Sequence, residues 1–405
     1  MQSPGMTALH LQRGIHPYRI NSVDLLRGLI MIIMALDHTR DFFHSTAWNR
    51  NPLDLSITTP YLFFTRWITH FCAPTFVFLS GVSIYLQSFR KTKKELSTFL
   101  IKRGLWLILL ELTIINFSFS FDIYFTTITL QVIWAIGISM VILGLIIRLP
   151  YQVLLVIGLV IVFGHNLMDY VEQKPNQQLP FIWDLIHRTS FHPIGKSHFI
   201  GILYPFLPWT GLMILGYCCG KLFRKDVDPA HRRKMLVSLG WMIIGFFLII
   251  RATNIYGDPA KWSIRNNILY SILSFINTTK YPPSLLFLCM TIGPGLIFLA
   301  YTEGIQNRLT RIITVYGRVP LFYFVVHFYI LHFVSMLLFF ARGHTLQEGL
   351  NAPKGFPVNF IIPGDGYRLT IVYLVWIGIV LLMYPLCKWY GDYKVRKKWW
   401  WLSYL

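Results

Sequence analysis

The chain has 405 residues, of which 55% are apolar and only 13% charged, about half the charged share of an ordinary soluble domain, roughly 25%. No soluble domain of this length hides so much apolar surface. Net charge is +20, from 37 Lys and Arg against 17 Asp and Glu. The basic residues cluster in short loops between apolar runs, so their meaning is topological and nucleic-acid binding is set aside.

Apolar runs of about 18 residues recur along the chain, each long enough to cross a bilayer core of about 30 Å as a helix. Short alternating strands, the mark of an outer-membrane barrel, are missing from the pattern. The fold expected is therefore all-α, a polytopic membrane bundle of about ten transmembrane helices in one domain, 1–405. The first apolar run follows about twenty polar and basic residues without a small-residue cleavage site, so it is expected to stay as a span. The spans read as 22–43, 61–88, 99–117, 127–147, 151–168, 200–222, 236–252, 283–302, 316–341 and 369–390, between an N-terminal tail 1–20 and a basic, aromatic tail 391–405. The five cysteines lie in or beside these spans with no metal-ligand spacing, and read as packing residues. Long loops 169–199, 253–282 and 342–368 are rich in Pro, Gly and Asn and are expected to cap a cavity.

Charge sets the orientation. The two tails and the even-numbered loops hold 23 Lys and Arg, the odd-numbered loops 13. The positive-inside rule then puts both termini in the cytoplasm. Nine of the thirteen histidines fall on the outside or in the outer half, and His327 falls near mid-membrane. Histidine is the side chain suited to proton transfer near neutral pH.

Span 1 carries the strongest constellation. Arg27 and His38 stand eleven residues apart, which on a helix leaves them about 20° apart in rotation and roughly 16 Å apart along the axis. Asp24, Asp37, Asp41 and His44 fall near the same face. A lipid-facing charge costs roughly 2.5–3.5 kcal/mol even on the mild insertion scale, so this stripe must face a polar cavity. On span 2, Arg66 and His70 are i,i+4 neighbours and enter from the outer side at the depth of His38. Pro74 on span 2, and Pro205 and Pro208 on span 6, read as helix breaks lining a cavity. Span 9 adds Tyr323, His327 and His332, and span 3 places Glu111 mid-membrane; a buried ionisable group there is a functional candidate by default.

At these residues the sequence resembles the heparan-α-glucosaminide N-acetyltransferase family of membrane acyltransferases. The resemblance rests on Asn21-Ser22-Val23-Asp24-Leu25-Leu26-Arg27-Gly28, on Phe71-Cys72-Ala73-Pro74 through Ser80-Gly81, and on Leu130-Gln131-Val132-Ile133-Trp134. Further matches are Leu207-Pro208-Trp209 with Leu215-Gly216-Tyr217, and Gly317-Arg318 through His327. Tyr384-Pro385-Leu386-Cys387-Lys388 and Trp401-Leu402-Ser403-Tyr404-Leu405 are similar to an uncharacterised bacterial branch. The resemblance implies transfer of an acyl group, usually acetyl, from cytoplasmic acetyl-CoA or another acyl-CoA to a sugar amine or hydroxyl across the membrane, with a histidine carrying the chemistry. The lysosomal enzyme departs from this chain: its position matching His38 looks like Asn, and its histidine precedes a Trp-Asn pair, as His44 precedes Trp48-Asn49 here with one residue more between. His38 and His44 both stand as the base, and Asp37 with the Arg27 stripe favours His38.

The expected roles follow. Arg27, with Asp24, would meet the phosphates of the acyl-CoA. His38 would act as general base or carry the acyl group, oriented by Asp37. His70, Arg66, Asp41 and His327 would stabilise the oxyanion or bind the acceptor. No metal is expected. The partners are membrane lipid, the acyl-CoA and a glycan or glycolipid, with homo-oligomerisation open, in a bacterial plasma membrane. A transporter or flippase is the competing reading, since buried charges also build substrate pathways.

Overall fold

A computed structural model describes residues 20–174, 177–350, 356–397 and 399. Arg13, Arg19, Lys398 and the terminal Trp401–Leu405 motif lie outside the described residues. The molecule is a polytopic helical membrane bundle. Its main helices are α1 (Asn21–Phe43), α2 (Pro60–Gln87), α3 (Lys93–Leu110), α4 (Val132–Ile146), α5 (Tyr151–Gly164) and α6 (Phe206–Cys219). After these come α7 (Pro229–Thr253), the shorter α8 (Ile268–Ile276), α9 (Leu285–Thr302), α10 (Arg308–Gly317), α11 (Pro320–Ala341) and α12 (Leu369–Lys397).

Among the described residues seven helices are long and apolar enough to span a membrane: α2, α5 extended to Glu172, α6 extended to Phe223, α7, α9, α11 and α12. The other three expected spans form helices too. However, α4 is shorter, and α1 and α3 carry several charged residues. On α1 those charges are mostly buried, with Asp24, Asp37 and Arg40 all under a tenth exposed, as a cavity-facing stripe requires.

Helix crossings are close where glycines remove side chains, the usual packing device in a membrane. A Cβ on Gly317 of α10 would sit 1.9 Å from the Asp24 carbonyl oxygen, and one on Gly28 would sit 2.0 Å from that of Ile313. The α1–α10 contact is thus backbone against backbone. It fixes the rotation of α1 and so the direction of its polar stripe.

Several helices start or end a few residues from the expected bounds, and at three places the architecture itself differs. Residues 127–130 are a strand, β1 (Thr127–Leu130), and α4 begins only at Val132. The Thr-Ile-Thr-Leu alternation suits a strand, and Asn116 stands in as its partner: its Oδ1 accepts from Thr129 N at 2.8 Å and its Nδ2 donates to Thr129 O at 3.0 Å. Residues 200–202 belong to β3 (His198–Ile202), which runs parallel to β1 and antiparallel to β2 (Ser190–Ile194) in the order β1-β3-β2. Pro205 then caps α6, so Pro205 and Pro208 start a helix and do not break one. The expected ninth span divides at Arg318-Val319: Tyr316 ends on α10 and α11 starts at Pro320. Proline has no amide hydrogen to continue the preceding helix.

Candidate active site

The C-terminal half of α1 is the floor of a cavity of about 590 Å³. Into it project Asp37, His38, Arg40 and Asp41 from α1, Arg66 and His70 from α2, and Lys280 from the loop before α9. The local structure of α2 explains how one helix delivers both of its residues. A short 3-10 turn at Ile68–Phe71 interrupts it beside Pro74, and Thr69 Oγ1 satisfies the Arg66 carbonyl that the turn releases, at 2.6 Å. Arg66 reaches across to Asp37, and His70 is buried against the edge of Phe287 with ring centroids 5.2 Å apart.

Asp37 is the hub. It pairs with Arg66, with Arg40 at 3.2 Å and with Lys280 at 3.8 Å; Arg40 also holds Asp41 at 2.5 Å. Removing one partner from such a buried cluster leaves the rest uncompensated, which is strongly destabilising. Asp37 holds cations, and the hydrogen bond to His38 comes from a second histidine.

That second histidine is His327. His38 Nδ1 lies 2.7 Å from His327 Nε2, and His327 Nδ1 lies 2.9 Å from the Tyr323 carbonyl oxygen. A carbonyl only accepts, so His327 Nδ1 carries the hydrogen and, in a neutral ring, Nε2 has the lone pair. His38 Nδ1–H therefore donates to it, which leaves His38 Nε2 as an unprotonated acceptor. The His38 ring is clamped by stacking on Phe328, centroids 4.2 Å apart. The arrangement delivers a lone pair on a half-buried ring in the cavity wall.

Arg27 and Asp24 do not join this cavity. Arg27 bonds Asp24 at 3.1 Å, Ser83 Oγ at 2.8 Å and the Gly317 carbonyl at 3.4 Å, at the other end of α1 beside the α10 crossing. His44 is also outside the cavity lining; its Nδ1 accepts from the Thr46 backbone at 3.2 Å and meets the Thr46 hydroxyl at 2.9 Å. Its neighbours Ala47 and Trp48 do line the cavity. Glu111 sits on a π-turn and accepts from Gln131 N at 3.2 Å and Trp134 N at 3.3 Å, so it caps α4 at the cavity wall.

Sequence reasoning missed Lys280, Tyr281 and Tyr204, which close the cavity from the loops. The signal available was thin: a lysine at the outer edge of an apolar span beside Tyr281-Pro282-Pro283. Two loop histidines, His165 and His187, are buried in a net of their own. His165 Nδ1 meets His187 Nε2 at 2.9 Å, and His187 Nδ1 meets Glu172 at 2.8 Å. The donor atoms of Asp169, Glu172 and His187 lie within 4.8 Å of one another, a set of the kind that can hold a metal ion. Asn166, Trp183 and His165 already bond these three side chains.

The helix that opens with the Asp24–Gly28 motif thus carries Asp37, His38, Arg40 and Asp41 into the cavity. Residues 19–253 match the family described as heparan-alpha-glucosaminide N-acetyltransferase, catalytic. The chain belongs to this family. The matched stretch contains α1 to α7, with Asp37, His38, Arg66 and His70; His327 and Lys280 lie beyond it. Membership makes this chain an acetyltransferase-like enzyme of the membrane, and acetyl-CoA is the co-substrate of such enzymes in general. No curated protein matches the chain.

Proposed function

We propose that this member of the heparan-alpha-glucosaminide N-acetyltransferase family transfers an acetyl group from acetyl-CoA, entering from the cytoplasmic side, to a sugar amine or hydroxyl on the far side of a bacterial plasma membrane, as a single domain. The observation that carries the reading is the His38–His327 pair, which leaves His38 Nε2 as an unprotonated acceptor in the cavity. His38 Nε2 takes the proton of the acceptor amine or hydroxyl as that nitrogen or oxygen bonds to the thioester carbonyl carbon. Arg66 stabilises the negative oxygen that develops on that carbon, and Asp41 helps hold the acceptor. When the carbon–sulfur bond breaks, His38 returns the proton to the leaving thiolate, and CoA departs as the free thiol. His38 thus serves as base and then as acid, worth about 10²–10⁴ in rate.

Arg27, held by Asp24 and Ser83, is assigned to the phosphates of acetyl-CoA, since its guanidinium lies near the opposite end of α1. What supports this sidedness is the excess of Lys and Arg in the loops on that side. The test is transfer or hydrolysis of labelled acetyl from acetyl-CoA by the purified protein against a panel of amino sugars. His38→Ala should abolish turnover and keep acetyl-CoA binding. Turnover unchanged in His38→Ala refutes the assignment, and vesicle uptake of a sugar without acetyl transfer would favour transport.

A further inference from the structure

The charges around the cavity do not balance. Its lining, among the described residues, includes four fixed cations, Arg40, Arg50, Arg66 and Lys280, and two carboxylates, Asp37 and Asp41. The surplus centres on Asp37, where Arg40, Arg66 and Lys280 meet one carboxylate and only Arg40 has a second, Asp41. Buried cations are tolerated where anions compensate them, and here the protein supplies fewer than the cluster can hold.

Three buried nitrogens of the cavity lining have no partner among the described residues. Arg40 Nε, His70 Nδ1 and His70 Nε2 make no hydrogen bond, although Arg40 is 4% and His70 0% exposed. Both residues line the cavity. A buried donor without a partner carries its full desolvation penalty. Surplus positive charge and two unmet donors, Arg40 Nε–H and the single N–H of a neutral His70, therefore line the same cavity as Lys280, while exposed Arg50 adds charge at the rim.

We propose that this corner of the cavity is an anion subsite: Lys280, with Arg40 and His70, seats a carboxylate or phosphate of the acceptor sugar, beside the amine or hydroxyl presented to His38. This deepens the acetyltransferase reading and rests on it. The acceptor is accordingly an acidic or phosphorylated sugar, and a neutral one binds poorly. The same chemistry is present in the phosphates of the donor, so the test separates the two sources.

The experiment is titration calorimetry on the purified full-length protein, which needs no turnover. The ligands are glucosamine 6-phosphate, glucuronate and neutral glucosamine, with acetyl-CoA and phosphate-free S-acetylpantetheine as the donor arm. The wild type should bind the two anionic sugars more tightly than glucosamine. Lys280→Met should reduce that preference by about 10- to 100-fold, the worth of one hydrogen bond to a charged group, and leave glucosamine affinity unchanged. Lys280→Arg should restore most of the preference. Thermal melting of each variant identifies loss of fold, and Lys280→Gln serves as the second substitution if Lys280→Met is unstable.

Equal affinity for anionic and neutral sugars, or a preference that survives loss of the Lys280 charge, overturns the proposal. If Lys280→Met weakens acetyl-CoA but not S-acetylpantetheine while the sugars bind alike, the anion is a donor phosphate and the acceptor assignment fails. Acetyl-CoA turnover by the wild type is measured separately. Its absence would count against the acetyltransferase reading and not against the anion subsite.

Discussion

Replacing His327 by Leu should lower kcat while leaving most of the binding intact. In the native site His38 Nδ1–H donates to His327 Nε2 at 2.7 Å, and that bond holds the ring with Nε2 free. Leucine removes the acceptor and leaves a donor on a ring that Phe328 still clamps. An unsatisfied buried donor costs about 1–3 kcal/mol. At about 1.4 kcal/mol per factor of ten, that penalty depopulates the competent tautomer roughly 5- to 150-fold. The expected result is a fall in kcat of that size with KM for acetyl-CoA little changed. His327→Gln should recover part of the loss, because its amide oxygen can accept from His38 Nδ1–H. His38→Ala should fall further, by the full 10²–10⁴ or so of a general base. The assay is single-turnover transfer of labelled acetyl at saturating donor, with histidine ¹⁵N shifts reporting the His38 tautomer. A His327→Leu enzyme with wild-type kcat, or a Gln variant no better than Leu, would show that His327 only fills space.

Other outcomes follow from the same geometry. Asp37→Asn should lower the melting temperature in detergent sharply, by the roughly 3–5 kcal/mol that follows removal of one partner from a buried charge cluster; pairing it with Lys280→Met should recover part of that loss. Gly317→Ala should prevent normal folding or yield, since its Cβ would lie 1.9 Å from a backbone oxygen that cannot swing away; normal melting would mean that the α1–α10 crossing is looser than described. His44→Ala should keep kcat within a few-fold of wild type, because Thr46 and not the cavity engages its ring. Arg27→Ala should weaken acetyl-CoA binding with Arg27→Lys only partly restoring it, as a planar fork is lost; unchanged affinity would leave Arg27 a structural role alone. Cysteine probes at exposed Lys196 and Lys94 should be labelled from outside and only after permeabilisation, respectively, and the reverse result would invert the orientation.

The helical bundle was legible in the sequence because the bilayer demands it. About twenty apolar residues in a row have few other stable homes, and charged residues on one stripe of α1 had to turn inward. Periodicity alone thus put Asp37, His38, Asp41 and Arg27 on one face, and the Asp24–Gly28 motif pointed to the family that residues 19–253 match. What the sequence left open depended on contacts between distant segments. Residues 127–130 read as the start of a span, and Asn116 together with β3 made them a strand. The pattern favoured His38 over His44 as the base, and only packing placed His38 beside His327, 289 residues along the chain, and His44 against its own turn. His327 was expected to meet the oxyanion or acceptor, and nothing local in the sequence showed that its two nitrogens lie against the Tyr323 carbonyl and His38. Lys280 carried only a thin signal, because a loop lysine acquires its chemistry from the carboxylate it folds onto. Helix periodicity fixes which residues share a face, since it is local geometry. Which faces meet, and so which charges compensate one another, is decided by close backbone crossings such as that of Gly28 and Gly317, and these form only in the assembled bundle.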